Sequence, residues 1–372
     1  MKSDSCITLR DIAENLGVSL TTVSLALRDN RKIPVERRKQ IQEAARRMGY
    51  IPNPMAAALA HQRYSCTTHS IGAAIAWINY WQNPEELCGY KEFNLYWKGA
   101  FRVAEDRGYR LEEFRCDHRM STSRLEQILL TRNIQGILLP PHGLIDLPVG
   151  WDKIQWDRFS VVRMGYSIKH PRSHVVTGDQ LNSGLLGFEN IRRRGYRRIG
   201  YVCGERTTTR AQAGFLMMQL EMAPEDRVPI LMLPDRDDHS VDPAPLCAWV
   251  KKYRPDAILT EISAMPGILE RAGYRIPQDI GLATTSVLDG NADSGINQNS
   301  EEIGKAAMEL LITLINHQQK GIPKFCREVL VESMWVDGST LPWRIAPQIP
   351  WSLSSKADPN KVSSDAATRS TF

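Results

Sequence analysis

The sequence predicts an α/β chain that begins with a small all-α headpiece, and three observations carry this. Over the first fifty residues apolar side chains return at helical spacing. From residue 69 onward, apolar runs of strand length alternate with helix-length amphipathic stretches. The third observation is charge: the 372 residues hold 47 basic and 42 acidic side chains, a formal charge of +5. Residues 1–64 supply Lys2, Arg10, Arg28, Arg31, Lys32, Arg37, Arg38, Lys39, Arg46, Arg47 and Arg63 against Asp4, Asp11, Glu14, Asp29, Glu36 and Glu43. That segment holds the whole excess, and the remainder is neutral by count. Such a distribution is the footprint expected of a phosphate-binding face confined to the headpiece.

In chain order, Leu9, Ile12, Ala13 and Leu16 give a first short helix one buried face, and Thr8 with Asp11 three residues on can cap its start. Gly17 permits a tight corner, and Ser19 can cap a second helix running to about Leu27. Two short helices across a three-residue turn form a helix-turn-helix. On the second helix Val23, Ala26 and Leu27 point to the core, while Leu20, Thr21, Ser24, Leu25 and Arg28 form the outer face. A third helix over 35–48 turns Ile41, Ala44, Ala45 and Met48 to one side and is ended by Gly49. These residues alone leave open a plain three-helix packing unit with a solvated charged face.

Residues 62–69 are polar and short-chained, which suits a linker. The alternation that follows predicts strands at 70–77, 110–114, 136–140, 159–164, 198–203, 228–233 and 257–260. Helices are predicted at 95–107, 123–132, 184–194, 211–220 and 244–253. Strands interleaved with helices imply parallel sheets covered on both faces, and there are too many for one compact doubly wound domain.

The N-terminal run resembles the DNA-binding headpiece of the LacI family of bacterial transcription regulators. The resemblance lies in Thr8-Leu9-Arg10-Asp11-Ile12-Ala13, Gly17-Val18-Ser19, Thr22-Val23-Ser24, Leu27 and the run Met48-Gly49-Tyr50-Ile51-Pro52-Asn53-Pro54 with Ala56 and Leu59. It implies that the second helix enters the major groove and that 53–61 forms a hinge helix on DNA, with Leu59 wedged into a minor-groove step. The DNA-binding residues so implied are Thr8, Ser19, Leu20, Thr21, Thr22, Ser24, Leu25, Arg28, Tyr50, Asn53, Ala56 and Leu59. Two departures from the family pattern stand out. Leu20, Thr21 and Leu25 stand where many members place a long polar side chain, so readout leans on thymine methyls, DNA shape and the hinge. Pro34 replaces a helix-capping Ser or Thr and gives up that cap.

The resemblance continues through Gly195-Tyr196-Arg197-Arg198-Ile199-Gly200-Tyr201, Arg254-Pro255-Asp256-Ala257-Ile258, Ala272-Gly273-Tyr274-Arg275-Ile276-Pro277-Gln278-Asp279-Ile280-Gly281 and Ser300-Glu301-Glu302-Ile303-Gly304-Lys305-Ala306-Ala307 to residue 341. It implies two Rossmann-like lobes of periplasmic-binding-protein type I. The expected division is a helix-turn-helix domain over 1–50, a hinge and linker over 51–68, and a two-lobed domain over 69–341. Lobe 1 takes about 69–168 and 293–320, lobe 2 about 172–289 and 324–341, with crossings near 166–174, 288–295 and 320–324. The tail 342–372, rich in Ser, Pro, Ala and Asp, reads as disordered.

Ligands of such sheets sit in the crevice beyond the carboxyl ends of the strands, and the family binds sugars or purines between its lobes. The effector-contact candidates are Asp179, Arg210, Gln298 and Trp77. Surface solvation remains an equal reading for Arg210. The family's Asn-Asp pair is replaced by Glu261-Ile262-Ser263, and core or lid packing is the favoured reading of the aromatic insert Tyr80, Trp81, Tyr90, Phe93, Tyr96 and Trp97.

No catalytic residue, metal site or cofactor is expected. The chain has no phosphate-cradling Gly-rich motif, no GxSxG, and one close histidine pair, His170 and His174, in a proline-bearing crossover. Seven cysteines without a CxxC pair suit reduced, mostly buried thiols, and no signal peptide or membrane span is evident, so a cytoplasmic protein is expected. The expected partners are a palindromic double-stranded DNA operator, a small-molecule effector and a second copy of the chain. Two other readings stay open: a ligand-sensing protein without operator recognition, and a DNA binder without an effector.

Overall fold

The computed structural model describes residues 7–27, 33–48, 50, 73–81, 83–116, 120–142, 150–204, 209–234 and 241–344. Arg28, Gly49, the hinge segment 53–61 with Asn53, Ala56 and Leu59, the linker and the tail beyond Arg344 lie outside these residues.

The headpiece comprises α1 (Leu9–Leu16), α2 (Leu20–Leu27) and α3 (Val35–Arg47). Its small core gathers Ile12, Ala13, Val23, Ala26, Ile41 and Ala45. Gln42 of α3 donates to the Ala26 carbonyl at 3.0 Å, tying the third helix to the end of the second. Pro34 starts α3 without a side-chain cap.

The α/β region holds two six-stranded sheets. The strands are β1 (Ala73–Asn79), β2 (Tyr109–Arg115), β3 (Gly136–Leu139), β4 (Ser160–Met164), β5 (His174–Gly178), β6 (Ile199–Gly204), β7 (Leu231–Leu233), β8 (Ala257–Thr260), β9 (Gly281–Thr284), β10 (Gly295–Asn297), β11 (Glu328–Val331) and β12 (Met334–Val336). The first sheet runs β11-β5-β4-β3-β1-β2 and the second β12-β10-β9-β8-β6-β7. The orders are equivalent position by position. Every recorded pairing is parallel except that of β12 with β10.

The helices between them are α4 (Pro84–Gly89), α5 (Lys91–Asp106), α6 (Thr122–Thr131), α7 (Gln180–Arg193), α8 (Thr209–Gln219), α9 (Ala244–Tyr253), α10 (Met265–Arg271) and α11 (Ser300–Asn316). Each sheet buries an apolar cluster on both faces. The chain exchanges helices between its lobes: β5 of the first sheet leads into α7, which packs on α8 of the second lobe, and β10 leads into α11, which packs on α5 of the first.

The crossings therefore fall later than expected. They lie at 178–180, 297–300 and 331–334, because β5 and β11 complete the first sheet and β10 the second. The run His174-Val175-Val176-Thr177-Gly178 is a fully buried strand between β4 and β11, not a crossover. Three bonds stitch the crossings together. The Asp179 amide donates to the Val331 carbonyl at 2.8 Å, the Ser183 and Ser333 hydroxyls meet at 2.9 Å, and the Asn299 side chain donates to the Glu332 carbonyl at 2.7 Å.

Two further expectations are corrected. Residues 342–344 are packed, not disordered: the Tyr196 hydroxyl donates to the Pro342 carbonyl at 3.0 Å, and Arg344 lies over the Tyr196 ring. Of the cysteines described, only Cys116 and Cys203 are buried, while Cys88 is exposed.

Candidate nucleic-acid interface and ligand cleft

Each headpiece element is closed locally by its own side chains. The Thr8 amide and hydroxyl both donate to Asp11, at 2.7 and 2.8 Å, while Thr8 Oγ1 accepts from the Asp11 amide at 3.4 Å. These bonds form a capping box that satisfies donors left over at a helix start. Gly17 turns the corner at φ +61°, in the left-handed region that glycine enters without steric cost. Ser19 accepts the Thr22 amide at 3.1 Å, and its hydroxyl meets that of Thr22 at 2.8 Å.

With Val23 and Ala26 turned inward, α2 presents Leu20, 51 % exposed, and exposed Thr21 at its N-terminal end. Ser24 and Leu25 are half-buried beside them. Arg10, Arg46 and Arg47 are exposed on the flanking helices. The DNA candidates thus divide: Thr8 and Ser19 spend hydroxyls on caps, Leu20 and Thr21 stand outward, and Tyr50 rests half-buried against the headpiece core.

In the α/β region the chain crosses between the two sheets from the carboxyl ends of β5, β10 and β11, the ends beyond which ligands of such sheets sit. Asp179 sits at the first crossing as the N-cap of α7, accepting from the Asn182 amide at 3.1 Å and from its side chain at 2.5 Å. Gln298 sits at the second crossing and donates to the Thr285 carbonyl at 3.2 Å. Arg210, in the first turn of α8, reaches across to lobe 1, where its guanidinium lies 3.4 Å from the Tyr166 ring centre. The Tyr166 hydroxyl in turn donates to Glu328 at 3.1 Å.

Trp77 does not belong to this set. It is 1 % exposed on β1, inside the apolar cluster between the sheet, α5 and α11, edge-on to Trp97 at 5.2 Å. Its position within the strand, with its neighbours buried on both faces, puts it under the helices instead of at the strand end.

The aromatic insert is chiefly packing. Tyr80, Trp81 and Tyr96 are buried, with Phe93 between Trp81 and Tyr96 and Tyr90 exposed at the end of the chain of rings. Glu261, at the end of β8, accepts from the hydroxyl of Tyr201, whose phenol is pushed well above its ordinary value, first by burial and then by the Glu261 charge.

The residues that sequence reasoning missed lie at a second place where the lobes meet. Ser286 donates to Glu92 at 2.6 Å, and Asp289 accepts the amides of Lys91 and Glu92 at 2.9 and 3.1 Å. Their pairing spans nearly two hundred positions, and nothing local in the sequence marks it. Among the described residues, no group of three or more His, Cys, Asp or Glu could hold a metal ion, and no helix is long and apolar enough to cross a membrane.

Comparison with known proteins gives the geometry its context. Residues 8–53 match the family of bacterial regulatory proteins of the lacI type, and residues 188–338 match a periplasmic binding protein-like domain. The chain belongs to the LacI family. That family is one of DNA-binding transcriptional regulators and not of enzymes. The transcriptional repressor PurR of Mannheimia succiniciproducens is 22% identical over 334 residues, covering 84% of this chain and 92% of that protein. The transcriptional regulator GntR of Pseudomonas aeruginosa is 25% identical over 329 residues, covering 83% and 89%.

Among solved structures, a complex of the regulator CelR with cellobiose superposes with a TM-score of 0.55 at 16% identity, over 90% of this chain and 99% of that one. The lac repressor dimer bound to operator and an anti-inducer gives 0.51 at 16% identity, over 91% and 100%. At such identities these structures establish the shared fold of this LacI-family chain.

Proposed function

We propose that the protein binds a palindromic operator as a homodimer, acts as a repressor, and is controlled by a small-molecule effector held between its lobes. The helix-turn-helix carries this reading: α2 turns its buried side to Val23 and Ala26 and leaves Leu20 and Thr21 outward at its N-terminal end, where such helices meet base edges. A two-fold DNA site mirrors a two-fold protein, so one headpiece per half-site calls for a dimer. In this reading 1–50 is the DNA-binding domain, 51–68 the hinge with Asn53, Ala56 and Leu59 on the minor groove, and the lobes sense the ligand. The protein works in the cytoplasm.

The effector class is a sugar or related metabolite. CelR, which shares the fold, is described in complex with cellobiose, and hydroxyl-bearing ligands suit a cleft whose polar groups include Asp179, Gln298 and Arg210. One observation favours a binder without an effector: Asp179 and Glu261 already hold internal partners. Retention on a library of short palindromic duplexes at two salt concentrations tests the main reading. Selective, salt-dependent retention is expected; its absence leaves a ligand receptor without operator recognition.

A further inference from the structure

The first turn of α5 is completed by the opposite lobe. Tyr90 occupies the N-cap position and supplies no cap hydrogen bond. The amides of Lys91 and Glu92 donate instead to the two carboxylate oxygens of Asp289, at 2.9 and 3.1 Å, from the loop after β9. A helix start needs such an acceptor, so closing the lobes completes this cap and parting them removes it. Beside it Ser286 Oγ donates to Glu92 Oε1 at 2.6 Å and accepts the Asp289 amide at 3.3 Å.

We propose that Glu92, Ser286 and Asp289 form a proton-controlled latch that holds the lobes together, closing when Glu92 is protonated and loosening when it is charged. Glu92 is 7% exposed at this boundary. The groups that face it are Ser286 and Asp289 from the loop of lobe 2 and Tyr96 one turn on along α5; Lys91 beside it is exposed. Burial pushes the Glu92 carboxyl up to about 7. The Ser286 hydrogen bond opposes this and the Asp289 charge adds to it. Parting the lobes returns Glu92 to water and to the ordinary carboxylate range, so closure takes up a proton. The protonated contribution is complete below that range, is lost as pH rises through about 7, and is level above it. One linked proton changes the closed-to-open ratio by at most about tenfold per pH unit.

Control of DNA binding by this latch rests on the two-lobed regulator proposed above; the latch itself is measured without DNA. Energy transfer between dyes carried by non-canonical residues at positions 107 in lobe 1 and 252 in lobe 2 reports lobe distance in the full chain at pH 5, 6, 7 and 8. The wild type is expected to open progressively up to about pH 7. Glu92→Gln, which keeps an acceptor without a charge, is expected to stay closed throughout, and Asp289→Asn to shift the midpoint to lower pH. A wild-type distance constant from pH 5 to 8, or a Glu92→Gln variant with the wild-type profile, overturns the latch. Operator affinity over the same series separates the two claims: a step in distance with level affinity overturns the regulatory link alone.

Discussion

Gly99 of α5 and Gly304 of α11 face each other so closely that a Cβ on either would strike the other helix's backbone. Gly99 abuts the Glu301 carbonyl and Gly304 the Tyr96 carbonyl. Lobe 2 repeats the arrangement with Gly184 of α7 against Ala211 and Gly214 of α8 against Leu181. In every case the carbonyl lies three residues before the partner glycine. Since α11 and α7 are the helices exchanged between lobes, each exchange is seated by a glycine pair. Gly304→Ala is expected to cost about 1–3 kcal/mol through overpacking, more than the about 1 kcal/mol that alanine gains over glycine inside a helix. Urea unfolding checks this; an unchanged or higher midpoint would show that the helices part freely.

The same exchange explains what the sequence could and could not show. The headpiece was legible because its determinants are local: Thr8 with Asp11, Gly17 at the corner, and Val23 with Ala26 facing Ile41 all act within a few residues or one small core. Helix α9 and strand β8 fall at the expected positions because an amphipathic helix and a short apolar run are distinct patterns. Strand β5 was hidden because a five-residue strand buried on both faces and preceded by His170-Pro171 looks like any apolar stretch of a crossover. Asp179 and Gln298 were expected just past the crossings and lie within them, because the crossings fall later in the chain. Trp77 lies under α5 and α11 because family spacing does not say which face of a strand a side chain takes, and Glu92 with Asp289 escaped because lobe contact alone joins them.

Arg194 anchors the segment that follows β12. Its side chain is 3 % exposed, pairs with Asp337 and lies 4.7 Å from the ring centres of both Trp335 and Trp343, while its carbonyl accepts the Arg344 amide at 2.9 Å. A flat guanidinium fits between two indoles as an ammonium does not. Arg194→Lys, keeping the charge, is expected to lose on the order of 1–2 kcal/mol from the two stacking contacts and to admit protease within 337–344. Cleavage at the wild-type rate would sink the clamp.

The capping box of α1 makes the headpiece acid-sensitive. The Thr8 amide, and after it the Thr8 hydroxyl, hold the Asp11 carboxyl below its ordinary value, aided by Arg10. A depressed folded value means the contribution is present above the ordinary carboxylate range, near 4, and is lost as pH falls through the depressed value. Hydrogen exchange of the α1 amides, corrected for intrinsic rate, is expected to quicken on acidification in the wild type and to show no such step in Asp11→Asn. Thr8→Ala is expected to cost about 1 kcal/mol, the usual worth of an N-cap. Equal acid profiles for wild type and Asp11→Asn would assign the sensitivity elsewhere.

Leu20 and Arg46 separate two ways of holding DNA. Leu20 is an apolar side chain standing 51 % exposed on the outward end of α2, where burial against the core cannot explain it. Leucine has no hydrogen bond to offer a base edge but can pack on the C5-methyl group of thymine. On the operator selected from a random library, replacing single thymines by deoxyuridine removes that methyl and leaves base pairing intact. One such change is expected to weaken the wild type, by an amount Leu20→Ala no longer shows. Arg46 is exposed in the last turn of α3 and meets no base in the proposed docking. Arg46→Ala is expected to weaken selected and unrelated duplexes alike and to lower the salt slope by about one, as loss of a single phosphate contact requires. If Arg46→Ala spared unrelated duplexes while Leu20→Ala weakened every sequence equally, the roles would be reversed and α2 would not be the reading helix.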